Sequence, residues 1–286
     1  MGIIERSMER EITWEDVTRF EVIGLDEIAL KKGHRDGGAS ITGRMATETV
    51  IVGGVPDRRK APVKTFLSSI PQRVRQTIHS VCTDMSAGVV HAAKEVFGKR
   101  VKIVMDRFHV AKRYRSGLDS VRQHECKRLT REVAEEAYGQ FKGARWALRK
   151  SEEQLTDDDK DVLRCLVEHA PCLKMAYEFC HALTSIFDTQ LSKREGKRRM
   201  RQWMQTVRAS ELRYFESFLT TVEKYFDDLA NYFIDRHTSG FVEGFNNQLK
   251  VIKRRCYGIL NVTHLLQRIQ LDVYGHSLFA MKIIEL

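Results

Sequence analysis

Acidic side chains at the ends of apolar segments are the residues of this sequence best suited to chemistry. Asp26 interrupts the apolar stretch 20–30, while Asp84 and Asp106 each close a later one. Two-metal chemistry on phosphate in this arrangement needs one acid within a first strand, a second at the end of the neighbouring strand and a third from a later helix. Glu243 is the candidate for the third acid. Carboxylate oxygens suit Mg²⁺ or Mn²⁺, so the predicted cofactor is a pair of these ions.

Asp26 is predicted to be the first metal ligand. A carboxylate within an apolar strand is costly unless it has a partner or a metal ion. The alternative is an edge strand on which Asp26 faces water. Glu27 is expected on the opposite face of the strand and therefore not at the metal, because side chains alternate along a strand.

Glu243 lies in segment 239–258, whose glycines and amides are unusual for a plain exposed helix. Small residues allow close approach of a backbone, and amides suit contacts with phosphate or bases. The residues of this segment that we expect to bind DNA are Asn246, Asn247, Lys250, Lys253, Arg254 and Arg255. The alternative is a charged helix face exposed to water.

A second basic segment, KREGKRRMR at 193–201, carries six basic residues and one acid. Such a run neutralises several phosphates when it lies along nucleic acid. The predicted contacts are Lys193, Arg194, Lys197, Arg198 and Arg199. A solvated helix face is again the alternative.

The elements that must position these acids follow from the pattern of apolar residues in the first 110 positions. Strands are predicted at 20–30, 39–42, 49–55, 77–82 and 101–105, and helices at 61–75 and 86–97. The order β-β-β-α-β-α-β is that of the ribonuclease-H-like fold, with parallel neighbours in its second half. The predicted fold class is therefore α/β, a mixed five-stranded sheet flanked by helices and interrupted by a large all-α insertion.

Glycine and proline thin out after residue 110, which favours helices there. The predicted divisions are an N-terminal linker remnant at 1–19, the first part of the core at 20–110, an all-helical insertion at 111–235 and the C-terminal core helices at 236–286.

Two acids compete for the middle metal position. Strands one and four are neighbours in the ribonuclease-H order, which favours Asp84 over Asp106. Asp106 begins the motif Asp-Arg-Phe-His, and His109 follows at i+3, where both side chains can face one cleft. Asp106 and His109 are therefore predicted to support the scissile phosphate. A helix N-cap is the alternative role for either aspartate.

Composition agrees with a polyanion as partner, since the 286 residues carry a net charge of +10. No apolar run approaches the roughly 18 residues of a membrane span, so no membrane partner is expected. The charged first ten residues lack the apolar core of a signal peptide, which predicts a cytoplasmic, nucleoid-associated protein.

The motifs around these acids resemble the ISL-three family of bacterial insertion-sequence transposases over about residues 20–275. The matching blocks are GLDEIALKKGHRD (24–36), VCTDMSAGVVHAAKEVFG (81–98), VMDRFHVAKRYR (104–115), RWALRKSEEQLT (145–156) and SGFVEGFNNQLKVIKRRCYG (239–258). The resemblance implies a DDE-type transposase, with Asp26 as first acid and Glu243 as last. Asp106 is an evident motif residue of the family, whereas related Mutator-like transposases place the middle acid at the position of Asp84.

The resemblance further implies double-stranded DNA as partner, both element ends and target, and a homo-oligomer when the protein acts on DNA. Only about 20 residues precede the first predicted strand, without a CxxC pattern, so we expect the family's N-terminal recognition module to be absent. Two other hypotheses are a truncated, non-catalytic DNA-binding remnant and a structure-selective nuclease of the same fold. Trp146 and Trp203 are predicted to pack in the insertion's core; similar insertions place an aromatic ring against a flipped base, which is the alternative.

Overall fold

The described part of the chain falls into two compact units. The computed structural model describes residues 14–15, 17–28, 38–44, 49–55, 57–132, 143–150, 152–236, 247, 251–252, 254–255, 264, 268 and 271–272. One unit comprises Met1–Asp106 with His237–Leu286, and the other comprises Arg107–Arg236. Among the described helices, none is long and apolar enough to cross a membrane.

The first unit is built on a mixed five-stranded sheet. Its strands are β1 (Val22–Ile28), β2 (Gly38–Arg44), β3 (Thr49–Val55), β4 (Ser80–Thr83) and β5 (Lys102–Met105). They lie in the order β3-β2-β1-β4-β5. The first three strands are antiparallel neighbours, while β4 runs parallel to β1 and β5 parallel to β4. This arrangement confirms the predicted ribonuclease-H-like fold.

The central position of β1 follows from its composition. Val22, Ile23 and Leu25 are all buried, so apolar side chains leave both faces of the strand. A strand of this kind needs cover on each face and therefore lies inside a sheet rather than at its edge. The edge-strand alternative for Asp26 is thus wrong.

Helices of the first unit pack on the sheet through their apolar faces. They are α1 (Lys60–Ser69), α2 (Gln72–Arg75) and α3 (Ala87–Phe97), with a 3₁₀ turn at Gly98–Arg100. Helix α1 contacts β3 and α3, and α3 contacts β4 and β5. The single helix predicted at 61–75 is wrong, because Pro71 disfavours helical backbone at Ile70, whose ψ is 125°.

The described residues of the second unit form helices joined by short turns and loops. Its helices are α4 (Arg107–Glu132), α5 (Ala144–Ala147), α6 (Asp157–His169), α7 (Pro171–Asp188), α8 (Lys193–Ala209), α9 (Glu216–Lys224), α10 (Phe226–Ala230) and α11 (Tyr232–Asp235), with 3₁₀ turns at Glu152–Gln154 and Arg213–Phe215. Local signals start several of them: Thr156 and Asp159 form a capping box at α6, and Pro171 opens α7.

The two tryptophans of this unit have different environments. Trp203 is 6% exposed, and its indole Nε1 donates a 2.9 Å hydrogen bond to the carbonyl oxygen of Phe179, which confirms its predicted place in the core. Trp146 is 64% exposed, so the core prediction is wrong there. Its helix α5 has four residues, too few to bury a whole face.

Candidate active site

The pairing of β1 with β4 places two of the predicted acids at the same level of the sheet. Leu25 of β1 pairs with Thr83 of β4 in parallel register. Asp26 directly follows Leu25, and Asp84 directly follows Thr83. Neighbouring strands lie about 4.8 Å apart, so these two acids stand side by side along the backbone.

Asp26 lies within β1, where it pairs with Ser40 of β2. The residue is half-buried, and its Oδ1 accepts a 2.7 Å hydrogen bond from the backbone amide of Glu27. This bond draws one carboxylate oxygen back along its own strand and thereby limits the orientation of the side chain.

Asp84 begins the turn from β4 into α3, and its side chain is only 16% exposed. Its Oδ1 accepts a 3.0 Å hydrogen bond from the amide of Ser86, and its Oδ2 accepts one of 2.8 Å from Nη1 of Arg58. The N-cap residue of α3 is Ser86, so Asp84 lies two positions before the cap. Both oxygens are therefore held by donors at the carboxyl end of β4.

Arg58 also reaches Glu27, at 3.3 Å from the same Nη1. Glu27 was expected to lie away from the metal, because side chains alternate along the strand and Asp26 is its neighbour. In the structure, however, one guanidinium contacts both Glu27 and Asp84.

Asp106 continues the row by one strand. Thr83 pairs with Met105 of β5, and the amide of Asp106 donates a 2.8 Å hydrogen bond to the carbonyl oxygen of Thr83. Asp106 is buried, unlike Asp84. Burial raises the pKa of the Cys82 thiol to about 12, and the nearby charge of Asp106 adds to that increase. Cys82 is therefore a neutral thiol beside the acids at neutral pH.

The donor chemistry of this edge fits a hard divalent cation, since Asp26 and Asp84 both offer carboxylate oxygens. Within the described residues, no group of three or more His, Cys, Asp or Glu side chains is arranged to hold a metal ion. Glu243, the predicted third ligand, lies outside the described residues. The ligand set as a whole stays a prediction.

His109 lies in the first turn of α4, in the second unit, whereas Asp106 belongs to the first unit. Its ring contacts Phe108 edge-on, with 5.7 Å between the ring centroids. The predicted role of His109 beside the scissile phosphate stays a prediction.

The basic segment near Glu243 is described only in part. Asn247, Arg254 and Arg255 are helical and exposed, and Arg255 is 3.8 Å from a carboxylate oxygen of Asp272. The other predicted contacts of this segment, Asn246, Lys250 and Lys253, lie outside the described residues.

The basic run on α8 is largely engaged in pairs within the second unit. Lys193 donates to Asn231 at 2.6 Å and Lys197 to Asp227 at 2.5 Å, while Arg198 and Arg199 bind Glu195. These hydrogen bonds, from Arg198 first, hold the pKa of Glu195 at about 2.

Two arginines of the same run are less engaged. Arg194 makes no ion pair within the described residues, and Arg201 places its guanidinium 5.0 Å from the ring centroid of Phe226. Together with Lys193 and Lys197 they line one shallow surface pocket. Arg194 and Arg201 are therefore the side chains of this helix most available to an anion.

A groove of about 430 Å³ in the second unit was not predicted from the sequence. Three basic and two acidic residues line it, Arg115, Arg149, Lys150, Glu153 and Asp188. Arg149 also lies 6.0 Å from the ring centroid of the exposed Trp146, and Arg145 lies 5.8 Å from it. No single segment of sequence contains these residues, so no local signal indicated the groove.

Comparisons with known proteins agree on one family. A family model described as transposase, of the ISL3 (ISL-three) type, matches residues 23–269. The chain is 24% identical over 273 residues to the transposase for insertion sequence element IS1001 of Bordetella parapertussis, which covers 95% of the chain and 65% of that protein. It is 22% identical over 277 residues to the transposase for insertion sequence element IS1557 of Mycobacterium tuberculosis, with 89% and 60% covered. The chain thus spans less than two thirds of the length of these curated relatives.

Proposed function

Because this chain belongs to the ISL-three family of transposases, we propose that it is the catalytic domain of a DDE-type DNA transposase. The proposed reaction is metal-dependent cleavage of a strand at the end of an insertion sequence, followed by attack of the freed 3′-hydroxyl on target DNA. The proposed substrates are double-stranded element ends and double-stranded target. The protein is proposed to act on them as a homo-oligomer.

The observation that carries this proposal is the register of β1 and β4. It supports Asp26 and Asp84 as neighbouring ligands for two Mg²⁺ or Mn²⁺ ions, with Glu243 proposed as the third. When bound, such ions supply charge stabilisation to the attacking and the leaving oxygen of an in-line displacement. Asp26 and Asp84 would bind and orient the ions, because rigid strand ends keep both carboxylates in place.

Strand order favours Asp84 over Asp106 as the middle ligand. Asp84 is one strand away from Asp26, whereas Asp106 is two strands away, or about 10 Å along the sheet. Asp106 is also the more deeply buried of the two. We therefore propose that Asp106 and His109 support the scissile phosphate without holding the metal.

Contacts to DNA phosphate are proposed for both basic segments. On α8, Arg194 and Arg201 make no ion pair within the described part of the chain, so they support this role better than Arg198 and Arg199, which already bind Glu195. Asn247, Arg254 and Arg255 are exposed and support the same role for the segment after Glu243.

Cleavage and metal binding by a matched set of variants test the proposal. Asp26→Asn and Asp84→Asn should each abolish strand cleavage of labelled element-end DNA and weaken Mn²⁺ binding in calorimetry. Asp106→Asn should lower cleavage while it keeps the metal. Asp161→Asn, on an exposed face of α6, is the control and should match the wild type in both assays.

Several outcomes would contradict parts of the proposal. Equal cleavage by wild type and Asp26→Asn would reject the assigned site. Loss of Mn²⁺ in Asp106→Asn alone would reverse the choice of middle ligand. DNA binding by a wild type that never cleaves would favour the remnant hypothesis, and cutting of branched DNA without strand transfer would favour the nuclease.

A further inference from the structure

Arg58 brings a positive charge to the end of β4, at the acid proposed to hold metal. Its Nη1 lies 2.8 Å from Oδ2 of Asp84 and 3.3 Å from Oε2 of Glu27. Its side chain is 26% exposed. Its Nε and Nη2 make no hydrogen bond within the described part of the chain. One nitrogen thus serves both carboxylates, and the forked edge of the guanidinium stays available.

The position of Arg58 is determined by the packing of its loop. Gly88, in the first turn of α3, has the loop backbone directly against it. A Cβ at Gly88 would lie 2.7 Å from the carbonyl oxygen of Arg58 and 3.1 Å from the amide nitrogen of Lys60. Contacts below 3.0 Å force a shift, so only glycine lets the loop lie this close to α3.

Charged pairs hold the loop from its two sides. Asp57 accepts a 2.8 Å hydrogen bond from the amide of Arg59 and pairs with the Arg59 side chain, which lowers the pKa of the Asp57 carboxyl. Lys60 and Lys64 of α1 both pair with Glu95 of α3. Arg58 therefore projects from a fixed backbone, and its contact with Asp84 is a consequence of how α1 and α3 pack.

A guanidinium and a divalent cation compete for the same carboxylate oxygen. A metal ion on Oδ2 of Asp84 would stand next to Nη1 of Arg58, and two positive charges in that position repel each other. DNA changes the balance, because a phosphate brings negative charge and accepts the bidentate hydrogen bonds that an arginine fork donates.

We propose that Arg58 is a positioning residue that holds Asp84 in the metal-free protein, releases it to the divalent ion, and then donates its free guanidinium edge to the DNA phosphate. Glu27 keeps the arginine at the site during this exchange, since it is the second partner of Nη1. This inference rests on the proposed function, because it takes Asp84 as a metal ligand. Its consequence is that Arg58 opposes metal binding without DNA and favours binding of DNA.

Calorimetry with Mn²⁺ on the whole chain without DNA tests the first half. Arg58→Gln should bind Mn²⁺ about fivefold more tightly than wild type, the factor expected from removing one partly exposed ion pair that competes with the ion. Arg59→Gln is the matched control: it removes the same charge from the same loop, its side chain is 86% exposed, and the variant keeps the hydrogen bond from its backbone amide to Asp57 that holds the loop. It should leave the Mn²⁺ affinity unchanged.

Fluorescence anisotropy with double-stranded DNA in saturating Mn²⁺ tests the second half. Arg58→Gln should bind DNA about fivefold to tenfold more weakly than Arg59→Gln, because it loses a charged phosphate contact. The two effects have opposite signs. A merely structural defect in Arg58→Gln would weaken both the metal and the DNA. Arg58→Lys keeps the charge but not the fork, so it should retain wild-type Mn²⁺ affinity and lose DNA affinity.

Asp84→Asn separates failure of this inference from failure of the proposed site. If Asp84→Asn abolishes Mn²⁺ binding while Arg58→Gln leaves it unchanged or weaker, the role of Arg58 is rejected and the site stands. Equal tightening in Arg58→Gln and Arg59→Gln rejects the role as well. If Asp84→Asn binds Mn²⁺ as wild type does, the proposed site and the inference both fail.

Discussion

The different environments of Trp146 and Trp203 predict opposite results from the same substitution. Trp203→Ala removes a buried ring that packs edge-on against Phe218, with 6.0 Å between the centroids, and that donates to the carbonyl oxygen of Phe179. Trp146→Ala removes a ring that is 64% exposed and lies near two arginines. One variant tests the core of the helical unit, and the other tests its surface.

The expected losses of unfolding free energy follow from these contacts. Replacing a buried aromatic by alanine costs about 3–5 kcal/mol, and the lost hydrogen bond to the carbonyl oxygen of Phe179 adds about 1 kcal/mol. Trp203→Ala should therefore lose about 4–6 kcal/mol. Trp146→Ala loses two exposed cation–π contacts at 5.8 and 6.0 Å, which together amount to about 1–2 kcal/mol at most.

Urea unfolding followed by far-ultraviolet circular dichroism measures both values without relying on tryptophan fluorescence. DNA binding then gives the complementary contrast. An exposed aromatic ring with two arginines near it is suited to stack on an unpaired base, so Trp146→Ala should bind DNA with an unpaired nucleotide about tenfold more weakly. Trp203→Phe, which keeps a buried ring, is the control and should bind it like wild type.

The reasoning is refuted if the two alanine variants lose the same stability, since Trp146 would then be a core residue. It is equally refuted if Trp146→Phe and Trp146→Ala both bind the unpaired nucleotide as wild type does. In that case the exposed ring would have no part in DNA binding.

Three further predictions concern the loop, the helix pair and the basic helix. The Cβ of Gly88→Ala must push the loop backbone back by about 0.7 Å to reach a 3.4 Å contact. Despite the better helix propensity of alanine, the variant should lose up to about 2 kcal/mol of unfolding free energy in urea. A gain of stability would contradict the packing. Hydrogen bonds from Lys60 and Lys64 of α1 lower the pKa of Glu95 from 4.5 to about 2. The ionised carboxylate therefore contributes to the free energy of unfolding above pH 4.5, and this contribution is lost as the pH falls toward 2. Glu95→Gln should accordingly unfold with a shallower pH dependence in that window, and an unchanged dependence would argue against the pairs. Replacing Arg194 and Arg201 together by Gln should reduce the slope of log affinity for DNA against log salt by about two, whereas Arg198→Gln should change it by less than one.

The sheet and its row of acids were predictable from sequence because each depends on local pattern. Apolar runs specify β1, β4 and β5, and Asp84 and Asp106 each follow directly after the last residue of a strand. Once the strands are parallel neighbours, their ends meet at one edge. The break at Pro71 escaped prediction because the apolar spacing continued across it.

Arg58 and the exposure of Trp146 were not predictable in the same way. Arg58 precedes α1 in a loop whose path depends on close packing against Gly88, thirty positions further along the chain. Trp146 lies in a four-residue helix, which is too short to produce a periodic apolar pattern. The path of the Arg58 loop depends on a tertiary contact, so no window of sequence contains its cause.

Placing acids on adjacent strand ends creates an electrostatic cost that the fold must meet before any metal arrives. Two carboxylates about 5 Å apart repel each other by about 3 kcal/mol at an effective dielectric constant of 20. Here Asp84 has Arg58 at 2.8 Å, and the same guanidinium reaches Glu27 beside Asp26. The positive charge of Arg58 therefore offsets part of this repulsion. The contact runs through a single nitrogen of a side chain that is 26% exposed, and under our proposal a divalent ion displaces it.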